Sequence, residues 1–420
     1  MDYTYFSKII NRIDEHSRYR NECLNLIASE NVLSFYARMA LATDIGGRYT
    51  VGQPKKRFFP GLKYYDDIEL IAQKLTKLLF HAPYVNVQPT SGMVANMTAY
   101  YALLKENDVV LSLKEEHGGH FSHSQEGVLK LFKVKVENLP FDVENYSVDI
   151  ERTIHVIKKI RPAVIILGSS EFLFPIPLLK LKKICNHTNT KILYDASHVA
   201  GLIAGGTFQN PLEEGADILT ASTNKTLAGP NHGLIAYNDA DLFRKKIEEA
   251  ILPVFTSHHH PHHIAALAIT LAEAEVFGYE YAMQLVKNAQ HLGFYLENTG
   301  ISVLCPHRKY TQSHTILLHV KNHAEKFVHV LEKAHIMTNS CKLPWDKPDE
   351  ISGIRIGLSE LTRLGMKECH MEEVARLISS VILKSKSARQ VRKEVIEFKL
   401  LFQQPAFCFP KMGKLNRLFH

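Results

Sequence analysis

A lysine and an aspartate at the ends of two neighbouring apolar runs carry the clearest chemistry in this sequence. Lys191-Ile192-Leu193-Tyr194 is strand-like and delivers Asp195 and then His198. Ala216-Asp217-Ile218-Leu219 is a second such run, and it leads through a loop rich in Ser, Thr and Gly to Lys225. Burial or neighbouring cations destabilise an ammonium and make the lysine a nucleophile, so the pair suits an imine-forming coenzyme site. A buried carboxylate needs a cationic or hydrogen-bonded partner, and a protonated pyridine nitrogen is one. The plainer alternatives for Asp195 are a helix N-cap or a structural ion pair. Ser222-x-x-Lys225 also has a serine-nucleophile spacing, but its companion Ser-Asp-Asn and Lys-Thr-Gly elements are missing.

Three further stretches could serve such a site. Val87-Gln88-Pro89-Thr90-Ser91-Gly92 is a strand ending in a Ser-Gly turn before an apolar helix, which makes either a phosphate cradle or a simple cap. His117-Gly118-Gly119-His120 follows another strand, and histidine beside glycine suits close approach to a flat ring or acid/base work. It lacks a helical His-x-x-x-His frame, so no metal is expected there. His258 to His263 holds five histidines in six residues. Contacts to phosphate or substrate across a dimer, a metal site and a solvated loop all stay open for it.

These residues need a scaffold, and the chain alternates short apolar runs with helical periods from Asp67 onward. Strands are expected near 84–87, 109–111, 164–167, 191–195, 218–221 and 234–237, with helices at 67–80, 92–104, 147–160 and 177–186. Such alternation predicts an α/β fold with a mostly parallel sheet whose carboxyl ends gather the site. A helical stretch from about His263 to Asn298 leads to strands near 302–304, 315–320 and 354–356 and helices at 322–334 and 367–384. Residues 5–18 read as an amphipathic helix, 46–61 as a functional loop, and the end after Lys386 shows no clear period. The 420 residues are too many for one ordinary core and suggest two domains.

The run from Tyr194 to Gly233 resembles the serine hydroxymethyltransferase family, with its Asp-x-x-His-x-x-Gly-Leu and Lys-Thr-Leu-x-Gly-Pro patterns. Leu26-Ile27-Ala28-Ser29-Glu30-Asn31, Asn86-Val87-Gln88-Pro89, His117-Gly118-Gly119-His120 and Ser352-Gly353-Ile354-Arg355 extend the resemblance over most of residues 20 to 385. It implies a fold type I, aminotransferase-like large domain with a seven-stranded sheet and a smaller C-terminal α+β domain. The corresponding boundaries are an N-terminal helical segment 1–45, a pyridoxal phosphate-binding domain 46–272, a small domain 273–386 and a basic tail 387–420. It further implies that Lys225 forms the aldimine of pyridoxal 5′-phosphate and that Asp195 pairs with the ring nitrogen. His120 would stack on the ring, and His198 and Ser170 would contact its phenolic oxygen or nearby substrate. Ser91, Gly92 and Ser222 would hold the phosphate, and Arg355 would grip the substrate carboxylate. Ser29 and Tyr49 would reach the neighbouring subunit's site, which implies a homodimer.

Departures from the family fall on the side of the second substrate. Where the family loop reads Tyr-x-Glu-Gly, this chain reads Tyr49-Thr50-Val51-Gly52, and a valine transfers no proton. Arg57-Phe58-Phe59 lacks two hydroxyls of the family pattern, and Asn224 and Asn231 replace a His and an Arg. These changes put tetrahydrofolate use in question. The expectation is therefore an enzyme that makes or breaks the Cα–Cβ bond of a β-hydroxy amino acid through a glycine quinonoid without folate, as a threonine-type aldolase or transaldolase. Two alternatives stand: a divergent folate-dependent hydroxymethyltransferase, kept open by Asn339, and a coenzyme-binding pseudoenzyme or partner subunit.

Composition narrows the setting. The net charge of +7 is matched by the stretch from Lys384 to His420, where nine Lys/Arg face two Glu. The rest is near neutral, and the tail is read as a solvated extension rather than a nucleic-acid site. No apolar run reaches the ~18 residues of a membrane span, no signal-peptide core is present, and six scattered cysteines form no Cys-x-x-Cys pair. A cytoplasmic enzyme is expected.

Overall fold

Strands covered on both faces need apolar residues on both, which is why Val164–Leu167, Ile218–Ser222 and Gly233–Tyr237 are buried at every position. In the computed structural model, which describes residues 3–321 and 323–411, they join one seven-stranded sheet. Its strands are β1 (Tyr84–Asn86), β2 (Val109–Ser112), β3 (Lys135–Asn138), β4 (Val164–Leu167), β5 (Lys191–Asp195), β6 (Ile218–Ser222) and β7 (Gly233–Tyr237). Their spatial order is β1-β7-β6-β5-β4-β2-β3. Only β7 runs antiparallel to its neighbours; every other pairing is parallel. The expected α/β class with a mostly parallel seven-stranded sheet is thus what the chain forms.

A second, antiparallel sheet contains β8 (Ser302–Val303), β9 (Thr315–His319), β10 (Asn339–Cys341) and β11 (Gly353–Gly357), in the order β8-β9-β11-β10. The 38-residue helix Pro261–Asn298 opens with proline in its first turn, where the missing N–H costs nothing. It runs unbroken through positions 272 and 273, so the expected boundary there falls inside a helix. Its buried face, including Leu267, Leu271, Leu285 and Leu292, belongs to the same core cluster as the inner strands and the small-domain helix Met371–Ile382.

Several elements escaped the sequence pattern, β10 among them. Strand β3 reads Lys-Val-Glu-Asn at a sheet edge, too polar to announce itself. Helix Ala240–Glu249 starts from Asp239, whose side chain accepts from the Leu242 amide. The end expected to lack a period carries helix Ala388–Lys399, fixed by a capping box between Ser387 and Gln390 and anchored by buried Val391 and Val395. Three buried residues, one of them Lys399, in a charged dodecamer are a weak periodic signal. Helix Thr4–Asn21 forms where expected, yet buries none of its residues. Among the described residues no helix is long and apolar enough to cross a membrane.

Candidate active site

The parallel register of β5 and β6 sets Asp195 opposite Thr220, so both strands deliver their last residues to one edge of the sheet. The helix Gly92–Leu103 begins at the same edge, with Ser91 accepting a hydrogen bond from the Val94 amide at 3.1 Å. A Cβ on Gly92 would lie 2.8 Å from that of Ser222, so only glycine lets this helix end abut the strand end. Between them lies a cavity of ≈ 270 Å³. Of the expected residues, Lys225, Asp195, His120, His198, Ser170, Gly92 and Ser222 line it, joined by Met93, Asn96, His123, Ser169 and Ser197.

Lys225 sits three residues past β6 and donates its Nζ to Ser222 Oγ at 2.6 Å. Burial lowers its pKa; the Asp195 carboxylate opposes that shift and Arg355 adds to it. Its loop is held from outside the sheet: Asn31 Nδ2 donates to the Lys225 carbonyl at 2.8 Å, and the Thr226 hydroxyl donates to the His198 carbonyl at 2.9 Å.

Asp195 is buried and hydrogen-bonded through both oxygens. Oδ2 accepts from Asn96 Nδ2 at 2.8 Å and from His123 Nε2 at 3.0 Å, while Oδ1 accepts from the Ser197 amide at 2.9 Å. Burial alone would raise its pKa, but the bonds from His123, Ser197 and Asn96 prevail and hold it well below the usual carboxylate range. His120 keeps Nδ1 as an acceptor for the Ser122 amide at 3.1 Å, and burial pushes its pKa down to about 4, so the ring is neutral at ordinary pH. His198 is buried beside His314, ring centroids 5.6 Å apart, and its Nδ1 has no partner. Burial and the charges of Lys225 and Arg355 keep it neutral too.

Arg355 reaches this edge from β11. It donates Nη1 to the Ser170 carbonyl at 2.9 Å and Nε to Asn339 Oδ1 at 3.2 Å. Both acceptors are uncharged, which leaves the guanidinium charge for an incoming carboxylate.

The two residues expected to serve a neighbouring subunit lie elsewhere. Tyr49 is 58% exposed, outside the cavity, stacked on His258 at 4.4 Å and edge-on to Phe59 at 5.7 Å. Ser29 lies against its own chain's lysine loop: its carbonyl accepts from Asn224 Nδ2 at 3.4 Å. Ser29 and Asn224 border a wider cavity of ≈ 550 Å³ behind that loop. In the histidine-rich loop, His259 is buried, with Nε2 2.9 Å from Thr50 Oγ1 and 3.1 Å from the Tyr65 hydroxyl. Among the described residues no group of three or more His, Cys, Asp or Glu could hold a metal ion.

Asn31, Asn96, His123, Ser197 and His314 were not singled out from sequence. Asn31, His123 and Ser197 carried a signal only as neighbours within the Ser29-Glu30-Asn31, His120 and Asp195-x-x-His198 motifs; Asn96 lies in an apolar helical run that reads as core.

The donors fit a flat, phosphorylated aldehyde: an amine with a lowered pKa, a buried carboxylate, two neutral imidazoles, one with an orphaned nitrogen, and a helix N-terminus flanked by Ser91 and Ser222. Fold and site together define a pyridoxal 5′-phosphate-dependent enzyme of fold type I. A family model described as serine hydroxymethyltransferase matches residues 4–378. Serine hydroxymethyltransferase of Methanopyrus kandleri is 42% identical over 96% of this chain and 94% of its own length, and that of Methanocella arvoryzae is 42% identical over 96% of each. The crystal structure of L-threonine transaldolase from Pseudomonas fluorescens, in its internal aldimine state, superposes with a TM-score of 0.91 at 27% identity, covering 96% of this chain and 93% of that one. The chain belongs to the serine hydroxymethyltransferase family, and pyridoxal 5′-phosphate is its cofactor.

Proposed function

We propose that this enzyme makes or breaks the Cα–Cβ bond of a β-hydroxy amino acid without folate, as a threonine-type aldolase or transaldolase. The observation that carries this reading is Val51, an aliphatic side chain where the family's loop offers a proton-transferring carboxylate, with Phe58 and Phe59 beside it in place of hydroxyls. The similarity to a threonine transaldolase supports it.

The cofactor supplies an electron sink for the bond-breaking step. The chain's residues do the rest. Lys225, its ammonium destabilised by burial, provides the amine that holds the cofactor and gives and takes a proton at Nζ, with Ser222 Oγ in reach. Asp195 keeps a negative charge against the ring nitrogen. His120 covers the ring face, and the free Nδ1 of His198 is available to an oxygen of cofactor or substrate. Ser91, Gly92 and Ser222 receive the phosphate, and Arg355 binds the amino-acid carboxylate through its planar fork. Ser29 keeps its proposed role at the site of a neighbouring subunit. Tyr49, exposed with Phe59 and His258, is also suited to reach across a homodimer. Residues 46–272 and 273–386 are taken as the two domains that meet at this site, and six free cysteines suit a reducing cytoplasm.

A folate-dependent hydroxymethyltransferase is the second reading, favoured by the relatives that carry that name. The two separate in one assay of purified enzyme with serine and with threonine, each with and without tetrahydrofolate. Aldehyde release from threonine independent of the pterin, abolished by Lys225→Ala, is expected. Efficient formaldehyde transfer from serine only in the presence of tetrahydrofolate would overturn the first reading.

A further inference from the structure

Asp195 is one end of a buried hydrogen-bonded chain. Thr220 Oγ1 donates to Asn96 Oδ1 at 2.6 Å, which fixes the orientation of that amide and turns its Nδ2 to Asp195 Oδ2. Both oxygens of Asp195 therefore act as acceptors, and His123 Nε2, 3.0 Å away, must carry the proton it shares with them. On the other side of the imidazole, Nδ1 lies 2.6 Å from the hydroxyl of Tyr100, which is also 3.0 Å from the Ser122 carbonyl. The hydroxyl holds a single proton between those two groups, and rotating it changes nothing at Nε2. Tyr100, Asn96 and His123 are all buried, so no water competes for these bonds.

We infer that His123 is a positioning residue for Asp195, with Tyr100 fixing its ring, and that this chain sets how strongly the site holds the protonated ring nitrogen of the cofactor. Oδ2 already has two protein donors, whereas Oδ1 has only the Ser197 amide. The oxygen left for the ring nitrogen is Oδ1, and His123 orients it by pinning Oδ2. The inference rests on the pairing of Asp195 with that nitrogen proposed above.

The test compares pyridoxal 5′-phosphate with its 1-deaza analogue, which has carbon in place of the ring nitrogen. Each is titrated into the apoprotein of the wild type, H123L, H123Q, Y100F and D195N, with affinity read from absorbance and circular dichroism checking the fold. H123L, which has no donor, is expected to weaken the natural cofactor by roughly tenfold or more and the analogue by less than about twofold. H123Q, which restores an N–H donor, recovers part of the loss, and Y100F shows a smaller loss with the same selectivity. Equal losses for both cofactors, or none for either, would show that His123 only fills space. If D195N weakens both cofactors equally relative to the wild type, or neither, the pairing of Asp195 with the nitrogen falls and takes this inference with it. If D195N weakens the natural cofactor selectively but H123L and Y100F do not, only the role of His123 is overturned.

Discussion

Arg355 shows how a single residue is prepared for a ligand. Its hydrogen bonds go to a backbone carbonyl and an amide oxygen, so it is held in place without being neutralised. Arg355→Lys keeps the charge and loses the planar fork, and should raise KM for the amino acid by about tenfold or more with a smaller fall in kcat. Steady-state kinetics check this, and an unchanged KM would remove Arg355 from the carboxylate site. At this scale the sequence was informative wherever a residue type is rare in its setting. Lys225, Asp195, His120 and Arg355 stand at strand ends or beside glycines, where charge and imidazole need a reason. Asn96 and His314 were not legible, because their roles depend on partners 99 residues away at Asp195 and 286 away at Ala28.

At the scale of elements, the loop 46–61 is clamped to the helix Lys63–Leu79 by one arginine. Arg57 donates Nε to Asp66 at 2.8 Å, Nη2 to Glu69 at 2.6 Å and Nη1 to the Thr50 carbonyl at 2.7 Å. Glu69 is 0% exposed, so removing the guanidinium leaves a carboxylate buried without its arginine partner. Arg57→Met should cost about 3–5 kcal/mol, seen as a lower denaturation midpoint. A midpoint shift of only a degree or two would mean that His259, 3.6 Å from Glu69, takes over the charge. The long helix and inner strands were legible from period and apolar run. The edge strand Lys135–Asn138 and the helix Ala388–Lys399 were not, since each has few buried positions and takes its place from neighbours already folded.

Across the whole molecule, buried neutral histidines make stability depend on pH. His232 and His314 are 1% and 0% exposed, and burial pushes each down to about 3 from the ordinary 6.5. As pH falls below 6.5 the unfolded chain takes up protons first, so stability is full above that value and declines on acidification until the folded values are reached. Each group removes on the order of 1.4 kcal/mol per pH unit within that window. The thermal midpoint should therefore fall between pH 7 and pH 5, and His314→Gln should make that fall shallower. An unchanged slope in His314→Gln would show that this histidine titrates alike in both states.

The sequence by itself determined the family and the alternating α/β architecture and singled out Lys225, Asp195 and Arg355 as candidates, because apolar period and rare charged residues are local properties of a chain. It also marked Val51, where a missing carboxylate needs no coordinates to be noticed. Tertiary structure alone decided which groups surround Asp195, that the Ser29 carbonyl meets Asn224 in its own chain's lysine loop, and that His259 is buried against Thr50 and Tyr65. Those facts depend on distances between segments far apart in sequence, and such distances exist only once the sheet has brought its strand ends to one edge.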